Sequence, residues 1–256
     1  MHATARIVAE ADGRGGTRLA VLHGEAPLLL RRTGTGPDVT VHLVGGAAGP
    51  LGGDDLRLSI EAGPGARLRV RSVAASLALP GRVRGPSRMQ IRASVAAGAL
   101  LDWHPEPLIA AAGCDHDAVV EVEVATGGAL LWREDLVCGR HGEEPGDLRT
   151  DTTIRYAGRT VYRHQLTVGP AATGWSGAAV LGGGRTIGSL VLVDPAWAAD
   201  APPARVLGPD AALMPLGGPA AVATAIGADS RPVRRLLDPL GERAWATPRD
   251  DVPTLV

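Results

Sequence analysis

The chain has 256 residues, a net charge of −1 and an apolar share of 45% drawn from Ala, Val and Leu, with 3% aromatics. All 26 basic residues are Arg and there is no Lys, which excludes a Schiff-base lysine and a phosphate-binding GxxxxGK[ST] loop. The interspersed charges give no broad footprint for nucleic acid, and neither a signal-peptide core nor a membrane span is indicated. One cytoplasmic domain over residues 1–256 is the expectation, since all-β folds of this length commonly form a single unit.

Taken in chain order, short runs of alternating polarity predict half-buried strands at residues 39–44, 56–61, 68–73, 89–95, 120–124, 160–168 and 187–193. In the second of these, Leu56, Leu58 and Ile60 fall on one face. With 35 Gly and 20 Pro punctuating the chain, long helices have little room. A strand, a small-residue turn and a second strand recur three times, with Ala66, Ala99 and Ala129 in equivalent places about thirty residues apart. Such a period implies stacked units that bury each other's apolar faces. The expected fold is therefore mainly β, with stacked or helicoid, β-helix-like sheets of short strands and one or two helices near the C-terminus. Residues 202–218 read as a loop or short-strand region. A helix is expected from Ser230, with Pro232 in its first turn and Val233, Leu236, Leu237 and Leu240 on one face. Pro239 is placed to end or kink it, and the chain from Pro248 onward reads as frayed.

Three segments carry polar residues in suggestive places. In Gly49-Pro50-Leu51-Gly52-Gly53-Asp54-Asp55 the acids sit in a flexible turn, where they can cap backbone N–H groups. In Leu101-Asp102-Trp103-His104-Pro105-Glu106-Pro107 the prolines enforce an extended chain that puts His104 and Glu106 on one face, a polar edge or a metal-holding pair. The third, Leu131-Trp132-Arg133-Glu134-Asp135-Leu136-Val137-Cys138-Gly139-Arg140-His141-Gly142-Glu143, is a strand running into a glycine-rich loop, with Trp132 as a core or interface aromatic.

A GPLGGD turn entering an alternating strand, an AGPGA turn, an L-x-W-x-P-E segment and a W-R-E…GR-x-GE segment, in this order, resemble the UreD (UreH) urease accessory proteins. The similarity runs from about Ala5 to the Arg-rich terminal helix. The chain departs from that pattern at residues 71–80, where a Thr-rich or Gln-containing stretch is usual, and at Glu144-Pro145, where the usual E-x-F lacks its Phe. The resemblance implies a helicoid β scaffold that binds a UreF-type accessory protein. Through it a UreG-type GTPase joins, and the complex docks on apo-urease subunits. Nickel is then cargo in transit, with no tightly bound cofactor. A transient nickel path lined by Asp54, Asp55, His104, Glu106 and Glu143 suits delivery, since a conduit must release its ion. Two short pairs, Cys114 with His116 and Cys138 with His141, offer either a dedicated Zn or Ni site or buried thiols beside exposed imidazoles.

The competing expectation is a β-rich hydrolase, using Ser176 or paired carboxylates. Gly174-Trp175-Ser176-Gly177 is followed by Ala178, so the G-x-S-x-G elbow is incomplete and no amphipathic helix follows. Adjacent acids such as Asp54 and Asp55 point to opposite faces of a strand, unlike a catalytic pair. The sequence thus predicts a scaffold and no enzyme.

Overall fold

The computed structural model describes residues 1–34, 36, 38–82 and 85–246. These residues build two sheets, of seven and eleven strands, that face each other. The chain starts in the seven-stranded sheet with the antiparallel pair β1 (His2–Ala11) and β2 (Thr17–Gly24). It crosses to the eleven-stranded sheet for a second pair, β3 (Leu28–Thr33) and β4 (Val39–Gly45).

From there it winds as a solenoid, adding one parallel strand to each sheet per turn. The first turn supplies β5 (Asp55–Ala62) and β6 (Arg67–Ser72), followed by the short β7 (Ser76–Ala78). The second supplies β8 (Ser87–Val95) and β9 (Leu100–Trp103), followed by β10 (Leu108–Ala110). The third is β11 (Asp115–Val124) with β12 (Ala129–Cys138). The seven-stranded sheet closes with β13 (Asp147–Tyr156) and the antiparallel β14 (Arg159–Val168). The other sheet is completed by antiparallel β15 (Thr186–Val193), β16 (Arg205–Gly208), β17 (Ala211–Pro215) and β18 (Ala220–Gly227), and α1 (Ser230–Ala246) follows.

The small-residue turns are the corners of this solenoid, and they stack. Gly65 donates its N–H to Ala97 O at 3.3 Å, and Gly98 donates to Gly127 O at 2.9 Å. Ala66 and Ala99 are fully buried, and a larger side chain there would push the stacked corners apart. The repeat expected from the sequence is thus the pair β5–β6, then β8–β9, then β11–β12. All seven predicted strand runs are strands, and residues 202–218 carry β16 and β17.

Inward-facing Leu58, Ile60, Val122 and Ile154 of one sheet meet Leu68, Val70, Leu101 and Trp132 of the other in one apolar core. Each such buried side chain contributes roughly 1.5–3 kcal/mol. The outward face of the seven-stranded sheet instead carries cross-strand ion pairs: Arg92 with Glu121 at 2.9 Å, Arg155 with Glu123 at 2.8 Å and Arg149 with Asp117 at 3.2 Å. Exposed pairs of this kind add little stability, but they keep a broad flat sheet face hydrated.

Helix α1 lays Val233, Leu237, Leu240 and Trp245 on the outward face of the eleven-stranded sheet. Gly188 lies beneath it, where a Cβ would collide with Val233 and with the Asp135 carboxylate. The guanidinium carbons of Arg67 and Arg69 stand 4.5 and 3.9 Å from the Trp245 ring centroid and fasten the far end of the helix. Pro239 lies inside α1 and does not end it: packing on both sides carries the helix on to Ala246, although Pro239 cannot donate to the preceding turn. Residues from Pro248 onward lie outside the described part of the chain.

Candidate functional site

The eleven-stranded sheet is interrupted along one line. β9 accompanies β12 as far as Trp103 opposite Trp132, and β10 resumes at Leu108 opposite Leu136. Residues 104–107 bulge out between them, because Pro105 and Pro107 have no N–H to give to a ladder. In the adjacent turn the chain leaves the sheet after Ser72 and returns at Ser76, and one turn further it leaves after Gly45 and returns at the bridge between Leu51 and Leu79. The breaks hold each other: Glu106 N–H donates to Ser72 Oγ at 2.8 Å, and Ser76 N–H donates to Pro107 O at 3.0 Å.

A cavity of about 700 Å³ lies behind this line. Its wall takes Pro50, Ser72, Ala75, Pro105, Glu106 and Asp135 from the breaks and Met89, His116, Ala118 and Thr150 from the inner face of the other sheet. Glu134, Tyr162, His164 and Ser189 add polar groups inside. The volume is that of a typical ligand pocket with few convergent polar groups.

Glu134 projects inward from β12, on the same face as Trp132 and Leu136. Its carboxyl accepts Thr152 Oγ1 at 2.9 and 3.0 Å and Trp132 Nε1 at 3.1 Å, and burial pushes its pKa up. His116 Nδ1 lies 2.8 Å from Ser87 Oγ, and burial lowers its pKa to about 4. The sequence presents Glu134 only as part of the W-R-E segment and His116 only as the partner of Cys114; that imidazole, expected to be exposed if the thiol is buried, is itself buried. A signal existed for Glu134: it is an acid at a position where the alternation of residues 130–138 calls for an apolar side chain.

Outside the wall, β12 and α1 share an ionic network. Arg133 and Asp135 pair bidentately at 2.7 and 3.0 Å, with both side chains about 1% exposed. Arg234 pairs with Glu106, and Asp238 Oδ1 lies 3.8 Å from both His104 Nε2 and Arg133 Nη2. Burial, then the positive charges of Arg71, Arg133 and Arg234, hold the His104 pKa down to about 3.

The residues expected to carry metal are therefore distributed. His104 and Glu106 do face the same way, toward α1, and Glu106 also lines the cavity. Asp54 is buried in its turn, accepting Leu51 N–H at 2.9 Å and the Met1 ammonium at 2.7 Å, while Asp55 pairs with Arg57 at 2.8 Å. That turn needs its glycines, since Gly52 packs against Gly81 so closely that a Cβ on Gly81 would run into the Gly52 carbonyl. Glu143 closes the GR-x-GE loop by accepting Arg140 N, Nε and Nη2, and the Arg140 guanidinium draws its pKa down to about 2.

Among the described residues no three His, Cys, Asp or Glu side chains converge as a metal-binding group. The two Cys/His pairs form no dedicated site: Cys114 and Cys138 are buried thiols pushed up to about 11 by burial, and His116 is committed to Ser87. Residues 174–177 lie in successive turns with neither the strand nor the helix that a nucleophile elbow requires.

A two-sheet β-solenoid with a largely apolar chamber between its sheets and a helix clasped over one wall defines the class of this protein: a β scaffold. The family model described as UreD urease accessory protein matches residues 1–251, and the chain belongs to that family. It is 50% identical over 240 residues to the urease accessory protein UreD of Streptomyces coelicolor, covering 93% of this chain and 94% of the relative. The UreD of Streptomyces avermitilis is 48% identical over 240 residues, with 93% and 95% covered. That of Frankia alni is 40% identical over 276 residues, with 94% and 92% covered. As a member of this family the chain is a non-catalytic accessory protein of urease maturation. No helix among the described residues is long and apolar enough to cross a membrane.

Proposed function

We propose that this protein is a cytoplasmic scaffold, acting as one domain, that carries nickel toward the urease active site by way of the chamber between its sheets. It binds a UreF-type partner, through which a UreG-type GTPase joins, and the assembly docks on apo-urease. The observation that carries the reading is the chamber itself, with carboxyl and imidazole groups from Glu106, Glu134 and His116 on its wall. Oxygen and nitrogen donors scattered along a passage hold a divalent ion briefly, whereas a closed set of ligands would retain it.

In this reading the path Asp54, Asp55, His104, Glu106 and Glu143 leads to and from the chamber, with Glu106 as its member on the wall. The test is urease maturation in cells carrying the whole urease gene set. Asp54→Ala and His104→Ala lower the nickel content of purified urease while the accessory complex still co-purifies. Because Asp54 caps Leu51, its variant is accompanied by a thermal unfolding measurement. Full nickel content with either variant removes that residue from the path, and failure of the chain to co-purify with any urease or accessory component removes the scaffold reading.

A further inference from the structure

We propose that the outward face of β3, β4 and β6, beside α1, docks an acidic, extended segment of a partner protein, whose carboxylates meet the guanidinium groups of Arg31, Arg69 and Arg71. The proposal rests on the scaffold reading above and is independent of the conduit. Helix α1 packs on β12, β15 and β18, and Trp245 at its far end reaches Arg67 and Arg69. The outward side chains of the neighbouring strands stay accessible: Arg69 and Arg71 are 34% and 25% exposed, and Arg31 is exposed. Strand register sets Arg31 opposite His42, and His42 opposite Arg71. Three basic side chains thus stand in one row across three strands. In the next row, Thr33 and Thr40 lead to Arg69.

These rows are short of negative charge. Arg67 is balanced by Asp38 at 3.1 Å, but Arg69 and Arg71 share the one carboxylate of Asp102. Burial, and then the charge of Arg71, hold the Arg69 pKa below its ordinary value in spite of Asp102. Among the described residues no carboxylate pairs with Arg31, whose guanidinium donates to the Leu30 carbonyl at 2.9 Å. The hydrogen bond of His42 goes to the Thr33 hydroxyl at 2.8 Å. Like charges directly opposite on neighbouring strands repel, so incoming carboxylates relieve a tension that the fold itself leaves in place. Because β3 pairs with β4 alone it is an edge of its sheet, and Arg31 with the exposed Arg32 would suffice to guard that edge. Guarding does not call for Arg69 and Arg71 two strands further in. An extended chain presents alternate side chains about 7 Å apart on one face, the same spacing that separates the two rows, and clustered guanidinium groups recognise acidic segments through paired, charge-assisted bonds.

The experiment follows the binding of a fluorescent peptide of alternating Glu and Ser to the full chain by anisotropy. The peptide binds the wild type and its Gln counterpart does not. Arg31→Glu lowers the affinity about tenfold, and added salt weakens binding to the wild type. Arg163→Glu, an equal change of net charge at an exposed position of β14, leaves the affinity unchanged. Wild-type affinity in Arg31→Glu, or an equal loss in Arg163→Glu, overturns the proposal; a melting temperature equal to that of the wild type shows that the Arg31→Glu chain is folded. An RNA oligonucleotide that binds as tightly as the peptide and is weakened by Arg31→Glu overturns it too, as does self-association of the chain that Arg31→Glu abolishes. If urease or accessory components co-purify with the wild type while the peptide fails to bind, the docking face falls and the scaffold stands. If none co-purifies, the scaffold reading falls and takes the docking face with it.

Discussion

Trp103 lies flat against Trp132, with ring centroids 5.0 Å apart and planes inclined by 13°. The two rings come from motifs about thirty residues apart, a separation that is one turn of the solenoid. The stack stands where β9 ends and the break begins, so it closes one end of the opening. Trp132 also donates its indole N–H to Glu134 at 3.1 Å, which ties the stack to the chamber's interior carboxyl.

Removing that stack has a large cost. Trp132 is fully buried, and Trp132→Ala lowers stability by about 3–5 kcal/mol through lost burial and the cavity left behind. Trp132→Phe costs less but leaves Glu134 without one of its donors. Urea unfolding midpoints at constant slope measure both; a Trp132→Ala loss below 1 kcal/mol would show that the stack is dispensable.

The buried pair under α1 behaves differently when cut than when replaced. Asp135→Ala leaves Arg133 charged in an apolar surrounding and destabilises by about 3–5 kcal/mol. Arg133→Met combined with Asp135→Leu removes both charges and recovers most of that loss. A double-mutant cycle gives the coupling, and additive losses would contradict a desolvated pair.

Burial of His116 makes its own contribution to stability fall on mild acidification. His116 has a folded pKa of about 4 against an ordinary 6.5, because burial disfavours its cation. Between those values the unfolded chain binds the extra proton, so stability is fully present above about pH 6.5 and drains away as pH falls toward 4, by on the order of 3 kcal/mol. His104, lowered to about 3, acts in the same direction. Denaturant midpoints at pH 7 and pH 4.5 give the loss, and His116→Gln narrows the difference between them. An unchanged difference in that variant would place the pH dependence elsewhere.

Gly81→Ala separates backbone packing from side-chain chemistry. Its Cβ meets the Gly52 carbonyl, a backbone atom that cannot rotate away, so the two corners must part. A loss of about 2 kcal/mol or more is expected, read as a fall in melting temperature, with no change at Gly36, where an added Cβ meets open space.

The sequence by itself determined the strands, their winding and the family. Alternation at positions such as Leu56, Leu58 and Ile60 is a local property of the pleat, and the repeat at Ala66, Ala99 and Ala129 is a local property of each corner. It also placed His104 and Glu106 on one face, because two prolines fix that segment without help from the rest of the chain. Tertiary structure alone decided what those residues do. That Asp54 is a buried cap, that Glu143 is taken by Arg140 and that Glu106 answers to Arg234 all depend on partners. Some of these lie close in the chain, but Arg234 is on a helix more than a hundred residues away, and no local pattern encodes that pairing. The chamber too exists only when three strand breaks from successive turns fall into line, which is a fact about stacking and not about any one segment.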